Sequence, residues 1–269
     1  LQRRLLNDGV LDQLKIPVIG IQPGSEDLRS PGNPWLFHTG SGDNTQLQRV
    51  MSHLSTIGLT KLAVVYQNTP FGKSGIAYVD KFAGASKVEI VGRLAIPMGQ
   101  EDMKGPARDL LDHGAQAYLM ILAPNSASSL IRDVRALGDH TPMYGMSYLS
   151  VGEVLTKTSR SQAAGIGLAQ VTPNPSTLTS GLTRDFHKAM RLSSPETINY
   201  TQAHLFGYIA ARTTVEALRR AGPAPNPARV AAALRQLKVD FGGYLVDFSS
   251  GKNSGSNFSD IAVIDSSGN

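Results

Sequence analysis

Residues 61–75 read Lys61-Leu-Ala-Val-Val-Tyr-Gln-Asn-Thr-Pro-Phe-Gly-Lys-Ser-Gly75, in which an apolar run, a turn and a helical pattern follow one another. The β-branched and apolar run at 62–66 predicts a buried strand, and residues 72–83 have helical periodicity. A strand that passes through a short turn into a helix is the unit from which parallel sheets are built. This stretch therefore predicts an α/β fold.

The same alternation of strand, turn and helix extends along most of the chain. Gly58, Gly114 and Gly138 each follow a predicted helix, where a left-handed C-cap favours glycine. The segments 242–248 and 259–264 are predicted to pair as a hairpin. The predicted strands are 16–21, 62–66, 88–94, 117–122, 143–146 and 166–171, and the predicted helices are 43–57, 72–83, 102–113, 126–137, 183–191, 200–221 and 227–237.

Composition excludes several classes of function. The net charge is +5 and the isoelectric point is about 9.5, but Lys and Arg are scattered along the chain. Readers of nucleic acid carry dense basic tracts, so we expect no nucleic-acid partner. The chain has no cysteine, which excludes disulfides, thiolate catalysis and cysteine-based metal sites. No apolar run approaches the ~18 residues of a membrane span.

The first residues do not have the pattern of a signal peptide. Residues 1–12 carry two arginines and then charged residues at helical spacing, without an apolar core or a small-residue cleavage site. This pattern is typical of the middle of a helix. We therefore expect that the chain begins inside a fold and that upstream sequence, with a signal peptide, has been removed or was never included.

Two nucleotide-binding motifs are approached but not completed. The segment Thr69–Gly75 lies between a strand and a helix, as a phosphate loop does, but Gln67 occupies the position where that loop requires its first glycine. Gly40 and Gly42 are not followed by the third glycine of a dinucleotide-binding fingerprint. The sequence therefore gives no support for a bound nucleotide.

No catalytic or metal-binding constellation is visible. The six histidines never occur at the i, i+4 spacing that places two imidazoles on one helix face, and the Gly-x-Ser-x-Gly elbow of serine hydrolases is absent. The carboxylate pair Glu101-Asp102 is explained by the start of a helix. We expect that the protein is not an enzyme and holds no metal or cofactor.

The turns that follow the predicted strands are rich in small and polar residues. In an open parallel sheet, such turns lie at the carboxyl ends of the strands, where ligands bind. The sequence therefore predicts a small-molecule site assembled from these turns, which are Gln22–Ser25, Gln67–Phe71, Ala123–Ser126 and Met146–Tyr148.

The order of these segments resembles the periplasmic substrate-binding proteins of branched-chain amino-acid-type ABC transporters, which have the type I periplasmic binding fold. The similarity covers nearly the whole chain and lies in the succession of motifs. The matching stretches are Ile16–Arg29, Phe37–Gly40, Lys61–Gly75, Leu130–Gly138, Ala164–Gly167, Gly207-Tyr208 and Phe241–Tyr244.

The resemblance implies a two-lobed α/β protein with mostly parallel sheets flanked by helices. Its lobes are joined by three crossings and close over a ligand by hinge motion. The family's first strands and helices have no counterpart here, so we expect lobe 1 to be incomplete. The expected division assigns residues 1–42 and 173–242 to lobe 1 and residues 43–172 and 243–269 to lobe 2.

The resemblance also implies the residues that hold the ligand. Gln22, Gly24 and Ser25 match a loop whose N–H groups and hydroxyl bind the ligand carboxylate, and Phe71 matches an aromatic lid. Ser147 stands where the family has an acid that pairs with the ammonium group of an amino acid. The ligand-binding residues implied are Gln22, Gly24, Ser25, Phe71, Leu122, Ala123, Ser147 and Tyr148.

A buried ammonium group without a carboxylate partner is costly, so Ser147 favours another small carboxylate, an aromatic acid or an amide over an ordinary α-amino acid. The function implied by the resemblance is that of a periplasmic receptor that delivers its ligand to an ABC transporter permease. The same fold also serves as the sensing domain of amide- or amino-acid-responsive regulators, and an α/β enzyme is the third alternative.

Overall fold

The computed structural model describes residues 6–21, 24–197 and 199–267. The chain divides into two compact units, and it passes from one to the other after Gly42, Gln170 and Ser259. Unit 1 comprises residues 1–42 and 171–259, and unit 2 comprises residues 43–170 and 260–269.

The elements alternate along the chain as the sequence predicts for a parallel α/β protein. The strands are β1 (Val18–Ile19), β2 (Leu36–Phe37), β3 (Lys61–Gln67), β4 (Glu89–Ile96), β5 (Ala117–Ile121), β6 (Met143–Gly145), β7 (Gly167–Gln170), β8 (Lys238–Asp240), β9 (Leu245–Asp247) and β10 (Asp260–Val263). The helices are α1 (Val10–Leu14), α2 (Asp43–Thr56), α3 (Pro70–Ser86), α4 (Lys104–Leu111), α5 (Pro124–Ala136), α6 (Val151–Leu155), α7 (Arg160–Ala163), α8 (Gly181–Ser193), α9 (Gln202–Ala221) and α10 (Pro227–Arg235).

Unit 2 is built on a six-stranded sheet with the order β10-β7-β6-β5-β3-β4. Every neighbouring pair is parallel except β10 and β7, which are antiparallel. Alternate residues of β3 face opposite sides: Leu62 and Val64 pack with helices α2 and α3, and Ala63 and Val65 pack with helices α4 and α5. Burial on both faces explains why the strands read as continuous apolar runs, and the predicted α/β class is confirmed.

Glycine ends three helices of unit 2 as the sequence predicts. Gly58, Gly114 and Gly138 have φ angles of 79°, 60° and 76°, in the left-handed region that a side chain disfavours. Each therefore allows the chain to turn from its helix toward the next strand.

The predicted hairpin between 242–248 and 259–264 is wrong. Strand β9 instead pairs with β8, and β10 pairs with β7 in unit 2. The carboxylate of Asp240 accepts hydrogen bonds from the backbone N–H groups of Gly242, Gly243 and Tyr244 at 2.6–3.1 Å. The glycine pair therefore forms the tight turn between β8 and β9.

The structure also differs from the expected division at residues 171–172 and 243–259, which belong to unit 1. Tyr244, Val246 and Phe248 are fully buried and share a core with Phe37 of β2. The ring centroids of Phe37 and Phe248 lie 5.3 Å apart in an edge-to-face arrangement. This apolar packing holds the segment in unit 1.

Unit 1 consists of helices α1 and α8–α10 with two small sheets. Strands β1 and β2 are parallel, and β8 and β9 form the antiparallel hairpin. The buried hydroxyl of Tyr244 lies 3.0 Å from the carbonyl oxygens of both Thr39 and Val171. Those carbonyls belong to two of the segments that lead to unit 2, so one side chain ties both segments within unit 1.

Among the described residues, no helix combines the length and the apolar character needed to cross a membrane.

Candidate functional site

Gln67 links three chain segments where the strands of unit 2 end. It is the last residue of β3, and its side chain is 2% exposed. The Nε2 group donates to the carbonyl oxygens of Ile96 and Pro97 at 3.1 and 2.6 Å. The Oε1 atom accepts from the N–H of Ala123 at 3.2 Å. Gln67 therefore fixes the turn after β5 and the end of β4 relative to β3.

The turn after β3 is shaped by the start of α3. Thr69 is the N-cap, with Pro70 at the first helical position. Gly72 passes so close to the carbonyl of Gln67 that an added Cβ would clash with that oxygen, and a Cβ on Gly75 would lie 2.9 Å from a methyl carbon of Ile121. The glycines that resemble a phosphate loop therefore serve close packing of helix on sheet.

Phe71 and Tyr148 form an aromatic pair at this edge. Their ring centroids lie 5.3 Å apart with an interplanar angle of 76°. Phe71 comes from α3 and Tyr148 from the turn after β6, so the structure brings together two residues that are 77 positions apart in the sequence. The pair presents an aromatic edge and face beside the ends of the strands.

The hydroxyl of Tyr148 is buried and has no hydrogen-bond partner among the described residues. Burial raises the pKa of Tyr148 well above its ordinary value, and the negative charge of Asp43 raises it further. The hydroxyl therefore stays protonated and can donate and accept. An unpaired buried hydroxyl costs about 1–3 kcal/mol, which an incoming polar group can recover.

Ser147 is half-buried, and its backbone N–H donates to the Oε1 atom of Gln46 at 2.9 Å. The turn continues to Ser150, which caps α6 in a reciprocal capping box with Glu153. The main-chain hydrogen bond to Gln46 therefore fixes the position of Ser147. The side chain of Ser147 contributes only a hydroxyl group to the site.

Leu122 and Ala123 occupy different surroundings. The side chain of Leu122 is 1% exposed and packs in the core against α4 and α5, so only its backbone is available to a ligand. Ala123 is exposed and precedes Pro124, the first residue of α5. Gln67 fixes the backbone of this turn, and that backbone is the part of the turn that a ligand can contact.

Helices α2, α3 and α5 begin at this same edge of the sheet. The amino end of a helix carries a partial positive charge, which favours an anionic group nearby. Asp43 at the start of α2 is 7% exposed and places a carboxylate at one of these ends. The edge therefore combines helix amino ends, one buried acid and an aromatic pair.

The loop predicted to bind the ligand carboxylate belongs to unit 1. Gly24 and Ser25 follow β1 and are half-buried, and Ser25 precedes a short 3-10 turn at Glu26–Leu28. Gln22 lies outside the described residues. Their roles in ligand binding stay predictions.

Within residues 6–21, 24–197 and 199–267, no three His, Asp or Glu side chains are grouped closely enough to hold a metal ion.

Sequence reasoning identified the turns but missed three polar residues that organise them. Gln67 was predicted to begin a site turn, but its side-chain bonds were not, and Asp43 and Gln46 were assigned no role in the site. Their partners Ser147 and Ala123 lie 101 and 56 positions away. The polar side chain of Gln67, directly after four apolar residues and a tyrosine in β3, was the one signal available.

These features describe a parallel α/β protein that brings polar and aromatic groups together at the carboxyl edge of its sheet. The chain belongs to the periplasmic binding protein family, whose sequence pattern matches residues 4–269. Members of this family are binding and transport proteins, and membership implies an extracellular or periplasmic location.

Solved structures agree with this assignment. An extracellular ligand-binding receptor from Verminephrobacter eiseniae is 32% identical, with a TM-score of 0.91 over 100% of this chain and 76% of that chain. A substrate-binding periplasmic protein from Ralstonia solanacearum is 26% identical, with a TM-score of 0.86 over 98% of this chain and 75% of that chain. The type I periplasmic binding fold predicted from the resemblance is thereby confirmed.

A branched-chain amino acid ABC transporter protein from Thermus thermophilus, solved with bound valine, shares the fold at 17% identity. Its TM-score is 0.79 over 97% of this chain and 72% of that chain. No curated protein matches this chain.

Proposed function

We propose that this chain is the solute-binding receptor of an ABC importer, which captures a small carboxylate- or amide-bearing molecule and delivers it to a membrane permease. Family membership and the likeness to extracellular and periplasmic receptors support the receptor role. The site would include the carboxyl edge of the unit 2 sheet, and the protein would release its ligand unchanged.

The observation that carries this proposal is the buried hydroxyl of Tyr148 beside the ring of Phe71. A hydroxyl without a partner among the described residues is suited to a polar group of the ligand. The aromatic pair is suited to its apolar body, because ligand sites combine apolar walls with a few placed polar groups.

The helix amino ends at this edge favour a carboxylate or an amide, whereas the buried carboxylate of Asp43 at the start of α2 opposes a second negative charge beside it. The amino ends of α3 and α5 favour a negative or acceptor group. At Ser147, where the resemblance implies an acid that pairs with an ammonium group, the chain offers only a hydroxyl. A simple α-amino acid would therefore find no carboxylate for its ammonium group at position 147.

Isothermal titration calorimetry tests this proposal with benzoate, short aliphatic carboxylates, small amides, leucine and valine. We expect saturable binding of a carboxylate or an amide with one site per chain, tighter than that of either amino acid. Phe71→Ala should weaken this binding at least tenfold. Phe82→Ala is the matched control, because that ring lies on the same helix and stacks on Tyr78 instead.

Tighter binding of leucine than of every carboxylate and amide would overturn the ligand assignment. Equal affinity of Phe71→Ala and the unaltered protein would overturn the site.

A further inference from the structure

The carboxyl edge of the unit 2 sheet contains a carboxylate of its own as well as groups that attract one. Asp43 is the first residue of α2, and its side chain is 7% exposed. Helices α3 and α5 begin at the same edge, where their amino ends favour an acceptor group. A ligand carboxylate and a ligand amide therefore meet different surroundings here, and Asp43 is the residue that distinguishes them.

Two observations place Asp43 beside the turn that contains Ser147 and Tyr148. Gln46 lies one helical turn after Asp43 on the same face of α2, and its Oε1 atom accepts from the backbone N–H of Ser147 at 2.9 Å. The negative charge of Asp43 also raises the pKa of Tyr148, an effect that acts between side chains that are close in space. The carboxylate of Asp43 and the hydroxyl of Tyr148 therefore lie in the same part of the edge.

These two side chains offer a ligand opposite hydrogen-bonding roles. The hydroxyl of Tyr148 is buried, has no hydrogen-bond partner among the described residues and can donate its proton to a ligand carbonyl oxygen. The carboxylate of Asp43 only accepts, and it has about four lone-pair sites, so it can accept from a ligand N–H in addition to its contacts within the protein. The edge therefore presents a neutral donor beside a charged acceptor.

An amide matches this pair of groups, whereas a carboxylate does not. The planar amide group carries an acceptor oxygen and N–H donors on adjacent positions, so it can bond with both side chains at once. A carboxylate has acceptors only, and one of its oxygen atoms would face the carboxylate of Asp43. Like charges that are close together and shielded from water repel each other strongly.

A positively charged ligand is not needed to balance Asp43. The residue lies at the amino end of α2, whose partial positive charge offsets part of its negative charge. The amino ends of α3 and α5 oppose a cation at the same edge. A neutral N–H donor therefore fits these surroundings better than an ammonium group.

We infer that this edge selects a neutral amide over a carboxylate of the same shape and that Asp43 sets this preference, an inference that rests on the proposed receptor function. The amide oxygen accepts from the hydroxyl of Tyr148, and the amide N–H donates to the carboxylate of Asp43. The carbon skeleton packs on the ring of Phe71, whose centroid lies 5.3 Å from that of Tyr148. This inference narrows the two proposed ligand classes to one.

Calorimetry tests this inference with two pairs of ligands of matched shape, isobutyramide with isobutyrate and benzamide with benzoate. In the unaltered protein, the amide should bind about tenfold more tightly than the carboxylate of its pair. Asp43→Asn keeps the shape of the side chain and removes its charge, so it should reduce this ratio to about threefold or less. Isobutylamine provides the cation and should bind more weakly than isobutyramide.

Asp109→Asn is the matched control, because it removes the same charge from an exposed position on α4 of unit 2. This variant should keep the ratio of the unaltered protein. Urea unfolding verifies that Asp43→Asn is folded, and the comparison of amide with carboxylate in the unaltered protein does not depend on that variant. An unchanged ratio in folded Asp43→Asn would overturn the role of Asp43.

The affinities of the unaltered protein separate this inference from the proposed function. If isobutyrate or benzoate binds as tightly as its amide, or if isobutylamine binds more tightly than isobutyramide, the selectivity is wrong and the receptor function stands. If the protein binds none of these ligands and neither leucine nor valine, the receptor function itself is wrong.

Discussion

The hydroxyl of Tyr148 can be tested by removing a single oxygen atom. Because this hydroxyl is buried without a partner among the described residues, Tyr148→Phe should raise the free energy of unfolding by about 1 kcal/mol. The same change should weaken ligand binding about tenfold, since the ligand loses a hydrogen bond. Urea unfolding and calorimetry measure the two effects.

Tyr118→Phe is the matched control for this substitution. The hydroxyl of Tyr118 donates to the carboxylate of Asp139 at 2.7 Å, near the start of β5 and away from the carboxyl edge. Loss of this hydrogen bond should lower the free energy of unfolding by about 1.5 kcal/mol and leave the ligand affinity unchanged. A loss of ligand affinity in Tyr118→Phe, with no loss in Tyr148→Phe, would contradict the role given to Tyr148.

His38 in unit 1 predicts a dependence of stability on pH. Its ring is fully buried, and its Nδ1 atom lies 3.3 Å from the carbonyl oxygen of Ile21. Burial, and then the positive charge of Arg29, lower the pKa of His38 to about 4. In the unfolded chain, a histidine has a pKa near 6.5. Between these values, protons bind to the unfolded chain in preference to the folded one.

Above pH 6.5, neutral His38 therefore makes its full contribution to the free energy of unfolding. As the pH falls toward 4, this contribution of about 3 kcal/mol is lost. Urea unfolding between pH 7.5 and 4.5 should show a smaller loss for His38→Gln than for the unaltered protein. His140→Gln, at an exposed position, should keep the full loss. An NMR titration in which folded His38 gains its proton near pH 6.5 would contradict the prediction.

At the scale of elements, the packing of α3 on the sheet depends on Gly72. A Cβ at this position would clash with the carbonyl oxygen of Gln67, so Gly72→Ala should lower the free energy of unfolding by about 2–4 kcal/mol. Gly84→Ala is the control on the same helix, where a Cβ meets no atom within 4 Å. It should raise stability by about 0.5–1 kcal/mol. Urea unfolding of both variants measures this difference, and equal effects would contradict it.

The strands and helices of unit 2 could be predicted because local patterns determine them. Strand β3 reads as a continuous apolar run because both of its faces are buried. Glycines mark where the preceding helices end. Strands β1 and β2 have only two residues each, which is too few for a hydrophobic pattern that would predict their pairing. The partner of β10 was mistaken because a hairpin was assumed from nearness in the sequence, whereas β10 pairs with β7 in unit 2.

The candidate site was predicted less completely than the fold. The turns after strands could be located because parallel strands end at one edge, and so Phe71 and Tyr148 could be assigned to one site. The bonds of Gln67 with Ala123 and of Gln46 with Ser147 could not be predicted, because they join residues that are distant in sequence. Leu122 was placed in the site by position, but its side chain belongs to the core.

For the whole molecule, the two units differ in charge and in what they offer to a ligand. Unit 2 offers an edge with helix amino ends, an aromatic pair and a buried hydroxyl, and its formal charge is balanced. Unit 1 carries the excess of five positive formal charges.

We propose that unit 2 holds a small carboxylate or amide at its carboxyl edge and releases it unchanged. NMR with ¹³C-labelled phenylalanine and tyrosine tests this claim directly during titration with the tightest ligand found by calorimetry. The ring signals of Phe71 and Tyr148 should shift with saturation at one ligand per chain and return after dialysis. Mass spectrometry should recover the ligand unchanged. Saturable binding that leaves both rings unshifted, or a ligand recovered in altered form, would contradict the account.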